Sequence, residues 1–249
     1  MRPYLLPLAA VLALAASAAA DDAADAKAVI EKAVKARGDK PGAKDAAMTW
    51  KEKGKFTASG IALPYDSDWA FQAPDKFRFD LTGTLGDAKF KLLVVANGAK
   101  AWGKDGAKVE EITGEKLEYT RNEAYQLWVM SLTPLLGDKG FTLATAKGKD
   151  VAGKPTSAVK VTREGKPAVT LYFDKDTGLL VKREVTVKDE FQNWKEVLDE
   201  AYLSDYQDAG GVKSFTKLKV VRDGKTMIES TLSDVKPADK LDAKLFEKP

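Results

Sequence analysis

The side chains able to do chemistry are restricted from the outset, because the 249-residue chain contains neither histidine nor cysteine. Without histidine there is no imidazole base and no imidazole metal ligand. Without cysteine there is no thiolate nucleophile, disulfide or thiolate zinc site. Ser–His–Asp hydrolysis, papain-like proteolysis and His-based metallohydrolysis are excluded, and carboxylate or Ser–Lys chemistry remains. Asp174 and Asp176 in "DKDTG" have the spacing that opens a calcium loop. Gly178 arrives too early and Leu179 and Leu180 stand where ligands are needed, so the segment reads as a hairpin turn. Ser131 precedes no lysine at a useful spacing, and "TSAVK" at 156–160 lies on an alternating strand. No two carboxylates stand out as the acid and nucleophile of a glycosidase, which must converge within about 5–10 Å. The sequence therefore predicts no catalytic residue, no metal site, no cofactor and no enzyme.

The stronger signal is apolar. In "WAFQAPDKFRFDL" at 69–81, Trp69, Phe71, Phe77, Phe79 and Leu81 share one parity, and Gln72, Lys76, Arg78 and Asp80 the other. Trp50, Phe56, Phe90 and Trp102 lie on neighbouring segments, and the apolar run "AYQLWVMSLTPLL" adds Tyr125, Leu127, Trp128, Met130 and Leu132. So much aromatic surface is either an ordinary core or the wall of a pocket for something greasy. A pocket lined by apolar and aromatic groups is the usual form of a small-molecule site. The residues expected to line it are Trp69, Phe71, Phe77, Phe79, Trp102, Leu127 and Trp128.

The elements that must position them follow from periodicity. Ala26, Val29, Ile30, Ala33 and Val34 give one apolar face to a helix over 22–37, ended by Gly38 and Pro41–Gly42. Alternation and turn residues then predict strands at 46–59, 62–73, 76–84, 87–96, 99–103 and 107–112, with Asn97-Gly98 as a strong hairpin signal. A helix over 115–133 interrupts them, closed by Pro134 and apolar nearly all round in its second half. Strands resume at 140–148, 155–164, 167–174, 179–189, 195–207, 212–222 and 225–236, and "LDAKLFEKP" is one helical turn or an edge segment. Phe191 and Trp194 fall in a hairpin tip, folded back on the sheet or open to a partner or membrane surface. An antiparallel sheet this large must curl or split to bury its apolar face. The expected fold is mainly β: a large curled antiparallel sheet, a half-open barrel of about eleven strands, with an N-terminal helix and an inserted helix on its concave face.

Residues 1–20, "MRPYLLPLAAVLALAASAAA", have one positive charge, an apolar stretch and small residues at the end, the plan of a secretory signal peptide. With no cysteine there, lipid attachment is not expected, and residues 21–249 form a single exported domain, periplasmic or extracellular. A net charge of +3, with 40 basic and 37 acidic residues spread evenly, argues against nucleic acid as a partner.

The run "WAFQAPDKFRFDL", then "VVANGAKAW", then "AYQLWVMSLTPLLGDKGFTL" resembles the LolA family of periplasmic lipoprotein carriers. Asn97, Gly98, Lys100 and Trp102 are similar to its hairpin motif, and "LDAKLFEKP" to its closing segment. The resemblance implies a half-barrel covered by helices with a hydrophobic cavity for the acyl chains of lipids or lipoproteins, in lipoprotein sorting to the outer membrane. The chain departs from the family at Ala73, where an arginine tied to lid opening is usual; the nearest arginine in this hairpin is Arg78. Burying about ten methylenes would give roughly 8 kcal/mol, a micromolar affinity suited to holding and releasing a lipid. Two further classes stay open: an envelope-stress sensor or scaffold that binds a protein partner, and a carboxylate-based enzyme acting on glycans.

Overall fold

The computed structural model describes residues 9–38, 47–58 and 60–249; residues 1–8 of the expected leader lie outside them. Helix α1 (Ala9–Arg37) includes the expected 22–37 helix and continues it towards the N-terminus. Its predicted apolar face is buried, with Ala26, Ile30 and Ala33 fully inaccessible. Among the described residues no helix is long and apolar enough to cross a membrane.

Six strands follow as a meander: β1 (Ala47–Ala58), β2 (Ile61–Gln72), β3 (Lys76–Leu85), β4 (Ala88–Asn97), β5 (Lys100–Asp105) and β6 (Lys108–Glu111). Helix α2 (Gly114–Met130) comes next, then a 3₁₀ turn at Thr133–Leu136. The helix ends before Pro134, which fixes its own φ and offers no backbone donor; Leu132 turns the chain with φ 66°. The second series is β7 (Thr142–Ala146), β8 (Asp150–Val151), β9 (Lys154–Thr162), β10 (Val169–Asp174) and β11 (Leu180–Asp189). It ends with β12 (Lys195–Asp208), β13 (Lys213–Arg222) and β14 (Lys225–Ala238), and a 3₁₀ turn at Ala243–Phe246.

All neighbouring pairs are antiparallel, in the order β6-β5-β4-β3-β2-β1-β14-β13-β12-β11-β10-β9-β7, with β8 on β9. The sheet is an open antiparallel one, with fourteen strands rather than about eleven. Thirteen of them fall on the expected segments, β6 included; the unexpected one is β8, only two residues long. Helix α2 touches β4 and β5 near one end of the order and β10 near the other, so the sheet curls around it.

The two ends pack separate cores on that concave side. One joins α1 and the C-terminal part of α2 to β9–β12 through Ile30, Val129, Leu132, Val159, Leu171 and Phe173. The other joins α2 to β1–β5 through Trp50, Phe71, Phe77, Ala96, Ala101 and Ala124, and Trp128 packs against both. A third cluster sits on the convex face, where Phe246 of the C-terminal turn covers Ala70, Leu93 and Val95.

Candidate functional site

Strand register decides which side chains face α2. Trp50 pairs with Trp69, Trp69 with Phe79 and Phe79 with Val94, so one row of residues runs across four strands on the concave side. The rings stack along it: Trp50 on Trp69 at 5.2 Å and 8°, and Trp69 on Phe79 at 4.8 Å. Phe77 and Phe79 lie parallel, 6.2 Å apart. Offset ring contacts of this kind stabilise beyond area burial. Ser67 Oγ accepts the Trp69 indole N–H at 2.9 Å, so a polar atom on this apolar face is satisfied.

Six of the seven residues expected to line a pocket share one packing cluster, and of the seven Phe71 and Leu127 also line the cavity beneath α2. Trp69, Phe71, Phe77 and Phe79 on the sheet meet Leu127 and Trp128 of α2 in one cluster. Trp102 does not join them. The Asn97–Lys100 hairpin pairs Ala96 with Ala101 and Val95 with Trp102, which turns Trp102 to the convex face beside Val95 and Phe246.

Between the second half of α2 and the sheet lies a cavity of about 80 Å³ whose walls include Met48, Trp50, Phe71, Leu127, Phe215 and Leu232. Arg37, at the end of α1, also lines it and donates through Nη1 to the carbonyls of Met130 and Ser131 at 3.2 and 3.3 Å. A cation at a helix C-terminus is favoured by the helix dipole as well as by these bonds. Ala73 is buried in the aromatic cluster, and the arginine bound at the C-terminal end of α2 is Arg37 of α1. Beyond the aromatic row the same face carries a buried polar group on β1, β2 and β14, where the Tyr65 hydroxyl donates to Glu52 at 2.6 Å beside Ser67 and Ser230. It then becomes apolar and only partly covered. Phe56 opposes Leu63 and Ile228, Leu81 opposes Leu92, and the Phe90 ring lies over Gly83, where a Cβ would approach it to 2.3 Å.

A charged cluster that the sequence reading did not single out ties the first half of α2 to the sheet. Arg222 Nε donates to Asp199 Oδ2 at 2.7 Å, its Nη2 donates to the Tyr119 hydroxyl at 2.8 Å, and its Nη1 lies 3.6 Å from Asp189. Arg183 pairs with the other oxygen of Asp199. Asp189 and Asp199 are 2% and 3% exposed, so these acids are closed off from solvent and held by arginine. Burial raises the Tyr119 hydroxyl well above its ordinary pKa; Glu123 adds to this and Arg222 opposes it. Glu123, one turn on, is also raised, by burial first and then by Asp199, against the pull of Arg183 and Arg222. A polar groove of about 570 Å³ runs beside this cluster, past Tyr119, Asn122, Gln126, Lys166 and Lys188. The legible signal was parity: Arg183, Asp189, Asp199 and Arg222 alternate in step with Val185, Val187, Val197 and Val220, the buried face of their strands.

Among the described residues no group of three histidine, cysteine or acidic side chains could hold a metal ion. "DKDTG" is the hairpin turn expected: Asp174 accepts the N–H groups of Asp176 and Thr177, and Gly178 has φ 75°. These bonds hold the Asp174 carboxyl below its ordinary pKa.

No family model matches the chain, and no curated protein matches it. Solved structures do match. A DUF1329 family protein from Desulfovibrio piger is 16% identical with a TM-score of 0.57, over 89% of this chain and 97% of that one. A LolA superfamily protein from Nitrosomonas europaea is 13% identical with a TM-score of 0.57, over 90% and 97%. A domain from Vibrio parahaemolyticus, described as outer membrane lipoprotein-sorting, is 14% identical with a TM-score of 0.55, over 91% and 97%. At these identities the likeness is one of fold.

Proposed function

We propose that this chain, which shares its fold with LolA superfamily structures, is an exported carrier that takes up the acyl chains of lipids or lipoproteins on its concave face. The observation that carries the reading is the apolar cavity under α2, which shares Trp50 with the stacked aromatic row. A wide curled sheet needs a covering layer, and here α1 and α2 supply it, with α2 alone reaching both cores. The leader-like residues 1–20 support export.

The cavity of about 80 Å³ is well below the roughly 300–1,000 Å³ usual for ligand sites, and the carrier reading therefore takes this state as the closed one. Uptake requires α2 to shift away from the sheet. The helix is fastened at both ends, by Tyr119 to Arg222 and by its last carbonyls to Arg37, while its middle rests on apolar contacts. Such an arrangement suits a cover that lifts and reseats without unfolding the sheet.

Titration with a fluorescent fatty-acyl probe tests this. Saturable micromolar binding with a blue-shifted emission, together with bound lipid or acylated peptide in native mass spectra of protein taken from its own cells, is the expected result. A protein that stays ligand-free and ignores the probe would sink the reading.

A further inference from the structure

Three of the most exposed large apolar side chains are gathered at one end of the sheet. Ile61, Leu85 and Phe191 are 55%, 54% and 50% accessible. Ile61 begins β2 at the turn from β1, Leu85 ends β3 at the turn to β4, and Phe191 sits in the tip between β11 and β12. The first two lie on adjacent strands, whose pairing ends at Tyr65–Gly83, two residues short of Leu85 and four short of Ile61. Phe191 reaches across to β1, where its ring lies 5.4 Å from Phe56. Asn193 and Trp194, with φ of 54° and 62°, give the tip the backbone curl that turns it back.

Single exposed apolar residues are ordinary, but three on the tips of one rim are not. At the opposite end the turns carry Pro74-Asp75, Asn97-Gly98 and Gly210-Gly211. The other rim turns, Asp105-Gly106 and Asp223-Gly224, are polar, so the apolar character belongs to these three tips. The two stretches carrying Ile61 and Leu85, residues 53–66 and 81–92, hold Lys53, Lys55, Lys89 and Lys91 against Asp66 and Asp87. The third tip is mixed, with Phe191 among Lys188, Lys195, Asp189, Glu190 and Glu196. The lysine-flanked apolar tips at Ile61 and Leu85 match an anionic lipid interface, where the aliphatic chains enter and the ammonium groups meet the headgroups.

We propose that this rim docks on an anionic membrane surface, with Ile61, Leu85 and Phe191 entering the lipid interface. A bilayer is favoured over a folded protein because the half-open apolar surface of Leu63, Leu81 and Phe90 begins directly behind the tips, where an acyl chain leaving the bilayer would meet it. That preference rests on the carrier reading; the docking itself does not.

Co-sedimentation with vesicles of phosphatidylcholine, and of equal parts phosphatidylcholine and phosphatidylglycerol, tests it. The wild type is expected to bind the mixed vesicles more strongly. The combined variant Ile61→Ser, Leu85→Ser and Phe191→Ser is expected to lose at least about tenfold in partitioning, with an unchanged melting transition. If that variant melts early, Leu85→Ser alone carries the test, with a loss of about threefold. The proposal is overturned if the wild type binds neither vesicle, or if the serine variants bind as the wild type does. Uptake of the soluble acyl probe needs no vesicle. Vesicle binding without uptake therefore sinks the carrier reading alone, and uptake without vesicle binding sinks the rim.

Discussion

Replacing Tyr119 with phenylalanine removes one oxygen from the contact that fastens the first half of α2 to the sheet. The hydroxyl accepts from Arg222 Nη2 at 2.8 Å, and Arg222 is 9% exposed. A hydrogen bond to a charged group contributes about 1.5–3 kcal/mol, and a buried donor left unpaired costs a similar amount. Arg222 keeps Asp199 and Asp189, which places the expected loss near the lower figure, about 1.5 kcal/mol. If α2 lifts to admit a ligand, this loss falls on the closed state and the lifted state becomes about tenfold more populated. Stopped-flow mixing with the fatty-acyl probe should then show uptake about tenfold faster. Denaturant unfolding should move by a comparable or smaller amount. An uptake rate within twofold of the wild type, alongside a clear loss of global stability, would refute the reasoning: the contact would be ordinary core, and α2 would not be the moving part.

The same cluster makes uptake depend on pH. The closed state holds the Glu123 carboxyl at a raised pKa through burial and Asp199, and lifting α2 into water returns it to the ordinary glutamate value. Its contribution to closure is therefore complete below the ordinary value and is lost as pH rises through the raised one. Probe uptake should quicken with rising pH across that window, and Glu123→Gln should flatten the dependence; equal slopes would remove Glu123 from the mechanism. Trp128 packs against both cores and has the Arg163 guanidinium 4.7 Å from its ring centroid. Trp128→Ala should cost about 3–5 kcal/mol in a denaturant melt, and a loss under about 1 kcal/mol would assign the ring to ligand contact instead.

The order and bounds of the strands were legible because alternation and turn chemistry agree along this chain. The β3–β4 and β12–β13 hairpins, for example, fall within a residue or two of expectation. The two-residue β8 carries too few positions to show a period. Trp102 illustrates a different limit. Residue type placed it with the other aromatics, whereas its face is set by pairing with Val95 across the Asn97-Gly98 turn. The Tyr119–Arg222 contact spans more than a hundred residues, and no local pattern announces it. Its participants were visible only as charges standing on the buried parity of β11, β12 and β13. Arg37 was likewise out of reach, because its bond to the end of α2 depends on how two distant helices meet.

The first and last strands of the chain lie side by side in the middle of the sheet, β14 being paired with β1 on one side and β13 on the other. Everything made before residue 225 therefore falls into two half-sheets that have no strand to join them. Each would present a long unpaired edge, β1 or β13, to any other chain nearby. The barrel is completed only when its final strand arrives, a demand on long-range pairing that makes for slow closure. On the proposal that residues 1–20 direct export, this order of events keeps the chain from closing its fold before its last strand is made.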